Sequence, residues 1–424
     1  MPKVAYFDRM LGYAHSYNMH ASSKKEHLTE IPFLGESRES LAKKTHWIFR
    51  PLRLFHGSFH ELMSPPNNQI AFLHGLRTIA ILLVMVHHLS AAFSEAHGAN
   101  RFANLPFVLN GWAGVDLFFV LSGFFIGSQL FKELTKTGTI SIKRFVIRRG
   151  LRIWPLFFAT YFLVLLIDPA GAALKHYGWA DLVFLANYVN YGIVAGGWSL
   201  CTEEQFYILA PLVLLISYGG ARLRSTSLYL WVALALPLIF RCVVWARYAP
   251  DMMAHSPDLF QSIYYKFHTH CDGLIMGLIL AHRWTMSGKS RMTRRFSSML
   301  VIGALILFVV LRSLQHELLI FTGLALLFGA LVWLGLTPGI SFFNSRIFYW
   351  ISRLSFGMYL NHAYLIPFIL SRPIFHLFFF DSSIAAQLTE TLSLVLLSAG
   401  LSLFSFSVIE QPFLNLRFYL LDRR

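Results

Sequence analysis

From Ile70 onward, apolar runs of about 20 residues recur along the chain, and that is the length a helix needs to cross the hydrocarbon core of a bilayer. The runs fall at 70–93, 107–131, 150–168, 200–217, 226–245, 263–281, 298–313, 317–336, 346–370 and 386–409. An all-α, polytopic membrane helical bundle of about ten transmembrane helices is therefore expected. The stretch 180–197 is also apolar, but Asn187, Asn190, Gly192, Gly196 and Gly197 interrupt it, so it reads as a re-entrant or interfacial segment. Composition agrees with this picture. Hydrophobic residues make up 56% of the chain and charged residues 13%, against roughly 45–50% and 25% in a soluble domain. One compact soluble domain and a disordered chain are both excluded. Three cysteines, Cys201, Cys242 and Cys271, all in apolar stretches, exclude a disulfide scaffold.

The formal charge of +15 does not indicate nucleic acid, because a basic binder gathers Lys and Arg on a soluble module. Here they lie in short clusters between apolar runs, as orientation in a bilayer requires. With ten spans and both termini cytoplasmic, the cytoplasmic loops and tail after residue 70 carry 19 Lys/Arg and the outer loops six. Making 180–197 a span would turn the cluster Arg283, Lys289, Arg291, Arg294 and Arg295 outward, against the positive-inside rule. Residues 1–69 hold nine Lys/Arg and six Asp/Glu and no long apolar run. They read as a cytosolic extension without a signal peptide, ending at Pro65-Pro66-Asn67-Asn68. Met63 stands just before that breaker as an alternative translation start. The membrane domain is expected over 70–412, followed by a basic cytosolic tail, 413–424.

An ionisable residue at the centre of a spanning helix costs about 2.5–3.5 kcal/mol on insertion scales, and function is its default explanation. Arg77 and His88 are 11 residues apart, close to three helical turns, so they share a face with roughly 16 Å between them. Asp116 is the only acid of the second apolar run, among Gly111, Gly114 and Gly123. Arg144, Arg148 and Arg152 recur every four residues, with Arg149 beside them. In a helix the three form a guanidinium stripe suited to phosphate, though topology marking or anionic lipid headgroups explain such a stripe, taken by itself, more simply. Glu203 and Tyr207 are an i, i+4 pair. His362 lies about 24 Å from the start of its helix near Arg346, which sets His88, Glu203 and His362 at matching depth in the outer half. From residue 70 onward no HxxxH or CxxC spacing suggests zinc.

These residues resemble the integral-membrane acyltransferase 3 family, over about 70–412 and in the family's order. Arg77 and His88 match its Arg-x10-His motif. Gly114-Val115-Asp116-Leu117-Phe118-Phe119-Val120-Leu121-Ser122-Gly123-Phe124 resembles its second-helix signature, and Arg148, Arg149 and Arg152 through Pro155 its basic loop. Trp198-Ser199-Leu200 with Glu203, Phe206 and Tyr207 matches WSLxxExxFY, and Asp272, Gly273 and Gly277 fit the seventh-helix pattern. Tyr359-Leu360 with His362 fits YLxH, and Ile409-Glu410-Gln411-Pro412-Phe413 matches IExPF. One position departs: where the family usually has Arg two residues before the seventh-helix Asp, this chain has His270.

The resemblance implies a bacterial inner-membrane enzyme that transfers an acyl group, usually acetyl, from acyl-CoA to a hydroxyl of a surface or lipid-linked carbohydrate. It implies acetyl-CoA as donor substrate, with no permanently bound cofactor and no metal. His88 is the candidate general base or covalent acyl carrier, and Glu203 the residue that orients or charge-stabilises a histidine. Asp116 and His362 complete the polar site. Arg77, Arg144, Arg148, Arg149 and Arg152 are the candidates for donor phosphates. No soluble domain is visible after the last apolar run, so either a periplasmic partner protein completes the reaction or the acceptor needs no second domain. The rival class is a transporter or flippase, which also buries charges on helices, but no inverted repeat relates the two halves. A membrane sensor or scaffold is the third reading.

Overall fold

The structure, a computed structural model, describes residues 71–98, 101–168, 177–189, 192–220, 223–248, 257–287, 293–313, 317–337, 343–371 and 384–421. The expected extension 1–69, with Met63, lies outside the described residues. Every regular element among the described residues is helical. Ten long helices follow one another: α1 (Ala71–His97), α2 (Gly114–Thr137), α3 (Ile142–Ile167), α4 (Gly197–Gly220), α5 (Leu223–Tyr248), α6 (Asp272–Ser287), α7 (Arg294–Ser313), α8 (Glu317–Gly335), α9 (Arg346–Leu370) and α10 (Ile384–Ser405). A wider turn at Phe406–Glu410 carries α10 into α11 (Gln411–Leu421), so residues 413–421 of the expected tail are helical.

Among the described residues, eight helices are long and apolar enough to cross a membrane: α1, α2, α3, α4, α5, α7, α8 and α10 with its extension. The chain is a multi-pass helical membrane bundle. The other two apolar runs correspond to α9 and to α6, which has only 16 residues.

Two boundaries differ from the sequence expectation. Residues 142–149, read as a loop, form the first two turns of α3. No Gly or Pro interrupts Ile142–Arg149, so the helix starts early. The run 263–281 is broken instead of spanning. A short helix, Pro257–Tyr264, ends before a 3-10 turn at Phe267–Thr269, and α6 starts only at Asp272. Arg241 explains the break. Its Nη1 donates to the Thr269 carbonyl at 2.6 Å and to Asp272 Oδ2 at 2.7 Å, and its Nη2 to Asp272 Oδ1 at 2.9 Å. The chain unwinds there and brings a carbonyl and a carboxylate to one buried guanidinium.

Between α3 and α4 the interrupted apolar stretch makes two single-turn helices, Trp179–Leu182 and Ala186–Val189, and no span. Trp179, Leu182, Val183, Leu185 and Tyr188 are exposed while Asp181 and Asn187 are buried. Asp181 Oδ2 accepts the backbone N–H groups of Ile193 and Val194, the latter at 3.2 Å, which fixes the loop that enters α4.

Helix α2 occupies the centre: 78% of its span is buried, against 6% in α7. Small residues allow this. A Cβ on Gly123 would lie 2.1 Å from the Leu274 carbonyl oxygen of α6, and one on Gly277 would lie 2.2 Å from that of Val120. Thus α2 and α6 meet backbone to backbone. On its other side Gly114 leaves room for the Ala80 carbonyl of α1, which a Cβ would approach to 2.5 Å.

Candidate active site

Helix α1 carries Arg77 and His88 on one face, and each meets a different polar cluster. At the His88 end, His88 Nδ1 lies 2.9 Å from His362 Nε2 of α9, with the two rings nearly parallel. His362 is 1% exposed, whereas His88 is exposed. The His88 ring therefore turns into the bundle, toward α9, and keeps an accessible side. His362 Nδ1 is 2.7 Å from the Tyr359 carbonyl oxygen one turn earlier. The Tyr359 hydroxyl donates to the Gly196 carbonyl at 3.0 Å and lies 2.7 Å from Ser199 Oγ. Gly196 has φ +72°, and a Cβ there would sit 3.2 Å from that hydroxyl, so this tight turn favours glycine. His87 points away, with Nδ1 2.9 Å from the Val108 carbonyl.

At the other end, Arg152 of α3 lies within electrostatic reach of Arg353, Arg77, Glu410 and Arg149. Four guanidinium groups from α1, α3 and α9 thus converge, with Glu410 among them and Glu203 facing Arg149 and Arg77. Arg353 also lies over the Phe406 ring, 5.7 Å from its centroid. Like charges gathered at the end of an apolar bundle attract an anion, and guanidinium groups suit phosphate through bidentate contacts.

Glu203 does not reach His88. Tyr207 Oη donates to Glu203 Oε2 at 2.6 Å, Ser122 Oγ lies 2.9 Å from the same hydroxyl, and Arg149 covers the Tyr207 ring at 5.3 Å. Helix α4 begins at Gly197, so Glu203 lies about 9 Å inside it, beside the arginine cluster, and the tyrosine four residues on is its nearest donor. His362 takes the place expected of Glu203 as the neighbour of His88. Adjacent Glu204 accepts from Trp154 Nε1 at 3.1 Å.

Asp116 stands apart from both clusters. It is 1% exposed, and its Oδ1 lies 2.8 Å from His270 Nε2, while His270 Nδ1 lies 2.6 Å from the Tyr264 carbonyl. Phe321, Tyr264 and Trp198 pack around the His270 ring. Asp116 is thus a buried partner of His270 and no wall of an open cavity. Arg144 is exposed and donates to the Leu421 carbonyl at 3.1 Å. Arg148 follows on the same stripe, half-buried.

Sequence reasoning missed Arg353 and the arginine-side position of Glu410. The signal for Arg353 was available: an arginine within an apolar run, the criterion that singled out Arg77.

Residues 70–409 match the family model of the acyltransferase 3 domain. The chain is similar to the peptidoglycan O-acetyltransferase OatA of Listeria monocytogenes, 28% identical over 323 residues, which cover 68% of this chain and 48% of that protein. It is 30% identical over 233 residues to a putative O-acetyltransferase of Staphylococcus aureus, covering 50% of this chain and 34% of that one. A Haemophilus influenzae protein is 26% identical over 232 residues and is 92% covered. The chain spans about half the length of the Listeria relative and a third of the staphylococcal one. No solved structure matches it.

Proposed function

The chain belongs to the acyltransferase 3 family, and from that premise we propose a membrane O-acetyltransferase that moves acetyl from cytosolic acetyl-CoA to a hydroxyl of an extracytoplasmic or lipid-linked carbohydrate. One observation carries the reading. Helix α1 joins a convergent arginine cluster at one end to an accessible imidazole, held by a second imidazole, at the other. The arginine end is cytoplasmic in this reading, because the positive-inside count favours ten spans with both termini inside. The bacterial inner membrane is then the location. Arg77, Arg149, Arg152 and Arg353 hold the phosphates of the donor, with Arg148 at the margin, and the acyl arm extends toward His88.

His88 acts as general base. Its free nitrogen takes the proton of the acceptor hydroxyl as the oxygen attacks the thioester carbonyl. The new C–O bond forms, the C–S bond breaks, and the departing thiolate recovers the proton from His88. The name of the Listeria relative points to a cell-wall glycan as one acceptor of this class. A periplasmic partner would serve if the final acceptor lies beyond the membrane surface.

The test is radiolabelled acetyl-CoA supplied to the arginine side of membrane vesicles. Label appearing covalently on glycan supports the reading. No label on any carbohydrate, with flux of an unmodified solute instead, identifies a transporter. His88→Ala is expected to abolish label transfer while the protein still inserts, and full activity in that variant would remove His88 from the chemistry.

A further inference from the structure

One nitrogen of the accessible histidine is already committed. His362 Nδ1 faces the Tyr359 carbonyl at 2.7 Å, and a carbonyl only accepts, so His362 Nδ1 carries the proton of that bond. A neutral imidazole has one such proton, and an unpaired imidazolium inside an apolar bundle is costly. His362 Nε2 therefore presents a lone pair toward His88 Nδ1, 2.9 Å away. The proton between the rings belongs to His88 Nδ1, and the lone pair of His88 is on Nε2, at the accessible side of the ring.

We infer that His362 is the positioning residue for His88: it fixes the Nδ1–H tautomer and shares the charge that forms during transfer. This rests on the reading of His88 as general base. Among the described residues no carboxylate bonds either ring, since Glu203 is held by Tyr207 and Asp116 by His270. A carboxylate behind the base would be a permanent buried charge. A second imidazole is neutral at rest, so the apolar site holds no charge until an acceptor arrives.

The proton inventory then balances. As the acceptor hydroxyl proton reaches His88 Nε2, the proton between the rings shifts toward His362 Nε2. The positive charge is shared between the two rings, with the His362 Nδ1–H still bonded to the Tyr359 carbonyl. When the thiolate withdraws the proton from His88 Nε2, the inter-ring proton returns. Tyr359 keeps its carbonyl in place because its own hydroxyl is anchored at Gly196 and Ser199.

The test uses full-length protein labelled with 15N-histidine in lipid bilayers, read by solid-state NMR alongside steady-state kinetics. Both rings are expected as neutral Nδ1–H tautomers, assigned by loss of signal in His88→Ala and in His362→Ala. His362→Ala is expected to turn His88 to the Nε2–H form and to lower kcat by about 10²–10⁴-fold with KM for acetyl-CoA unchanged. His362→Gln supplies an accepting oxygen without a titratable ring, so it restores the His88 tautomer and recovers only part of kcat. An Nε2–H signal for His88 in the parent protein overturns the assignment, as does parental kcat in His362→Ala. Should that variant fail to fold, the parent spectrum and His362→Gln decide. Activity retained in His88→Ala defeats the general-base reading instead and leaves the tautomers as they are.

Discussion

Removal of the Asp272 carboxylate should damage the bundle more than any other single polar truncation near α6. Arg241 and Asp272 are both fully buried. The guanidinium donates to both aspartate oxygens, to the Leu318 and Thr269 carbonyls at 2.7 and 2.6 Å, and to Thr322 Oγ1 at 2.6 Å. Thr322 in turn donates to Asp272 Oδ1 at 2.6 Å. In Asp272→Ala the two carbonyls and the hydroxyl remain, but the opposing charge is gone. Unit charges about 4 Å apart at an effective dielectric of about 20 interact by about 4 kcal/mol, within the range of about 3–5 kcal/mol for breaking a buried pair by deleting one partner. Thr322→Val removes only a neutral bridge and should cost about 1.5–3 kcal/mol, the scale of a hydrogen bond to a charged group. The assay is thermal unfolding of detergent-purified protein, followed by tryptophan fluorescence and by the monodisperse fraction that survives heating. The midpoint should fall for both variants and further for Asp272→Ala. An Asp272→Ala midpoint equal to the parent's, or above that of Thr322→Val, would refute the idea that this pair holds α5, α6 and α8 together.

Other variants probe the packing and the donor site. Gly277→Val should prevent correct assembly, because even its Cβ would lie 2.2 Å from the Val120 carbonyl oxygen and 2.5 Å from the Phe124 nitrogen; gel filtration showing a monodisperse, active variant would contradict this. Arg152→Ala and Arg353→Ala should each raise KM for acetyl-CoA by about 10-fold or more, since each 1.4 kcal/mol of lost charge pairing is tenfold. Arg144→Ala should leave KM unaltered, because that side chain is tied to Leu421; equal effects of Arg144→Ala and Arg152→Ala would mean the stripe acts through topology.

Much of the bundle was readable because lipid imposes a length rule on apolar runs, and α1, α5 and α9 lie close to where that rule puts them. Counting residues along two helices gave His88 and His362 a common depth, and the structure brings them into contact. Counting along one helix could not show that Glu203 faces Arg149 of α3 and not His88, because depth does not specify which neighbouring helix a side chain meets. The break before α6 was hidden for a different reason. Lys266, His268 and His270 make 263–271 a poor span, but the position of the break is set by Arg241 on another helix, which captures the Thr269 carbonyl. The partnership of Asp116 with His270 spans 154 positions, beyond the reach of any periodicity. Arg144 shares a sequence stripe with Arg152, but the α11 carbonyl that captures it could not be anticipated from that stripe.

The backbone contact between α2 and α6 also limits how the molecule can work. Where Gly123 meets Leu274 and Gly277 meets Val120 there are no side chains to repack, so neither helix can slide or tilt without taking the other along. Any larger motion of the bundle must carry both helices as one body. The freedom to admit and release reactants is pushed outward, to segments such as α7, whose span is almost entirely outside the core. A rigid axle with a loose rim fits the proposed reaction, in which two reactants would enter from opposite faces.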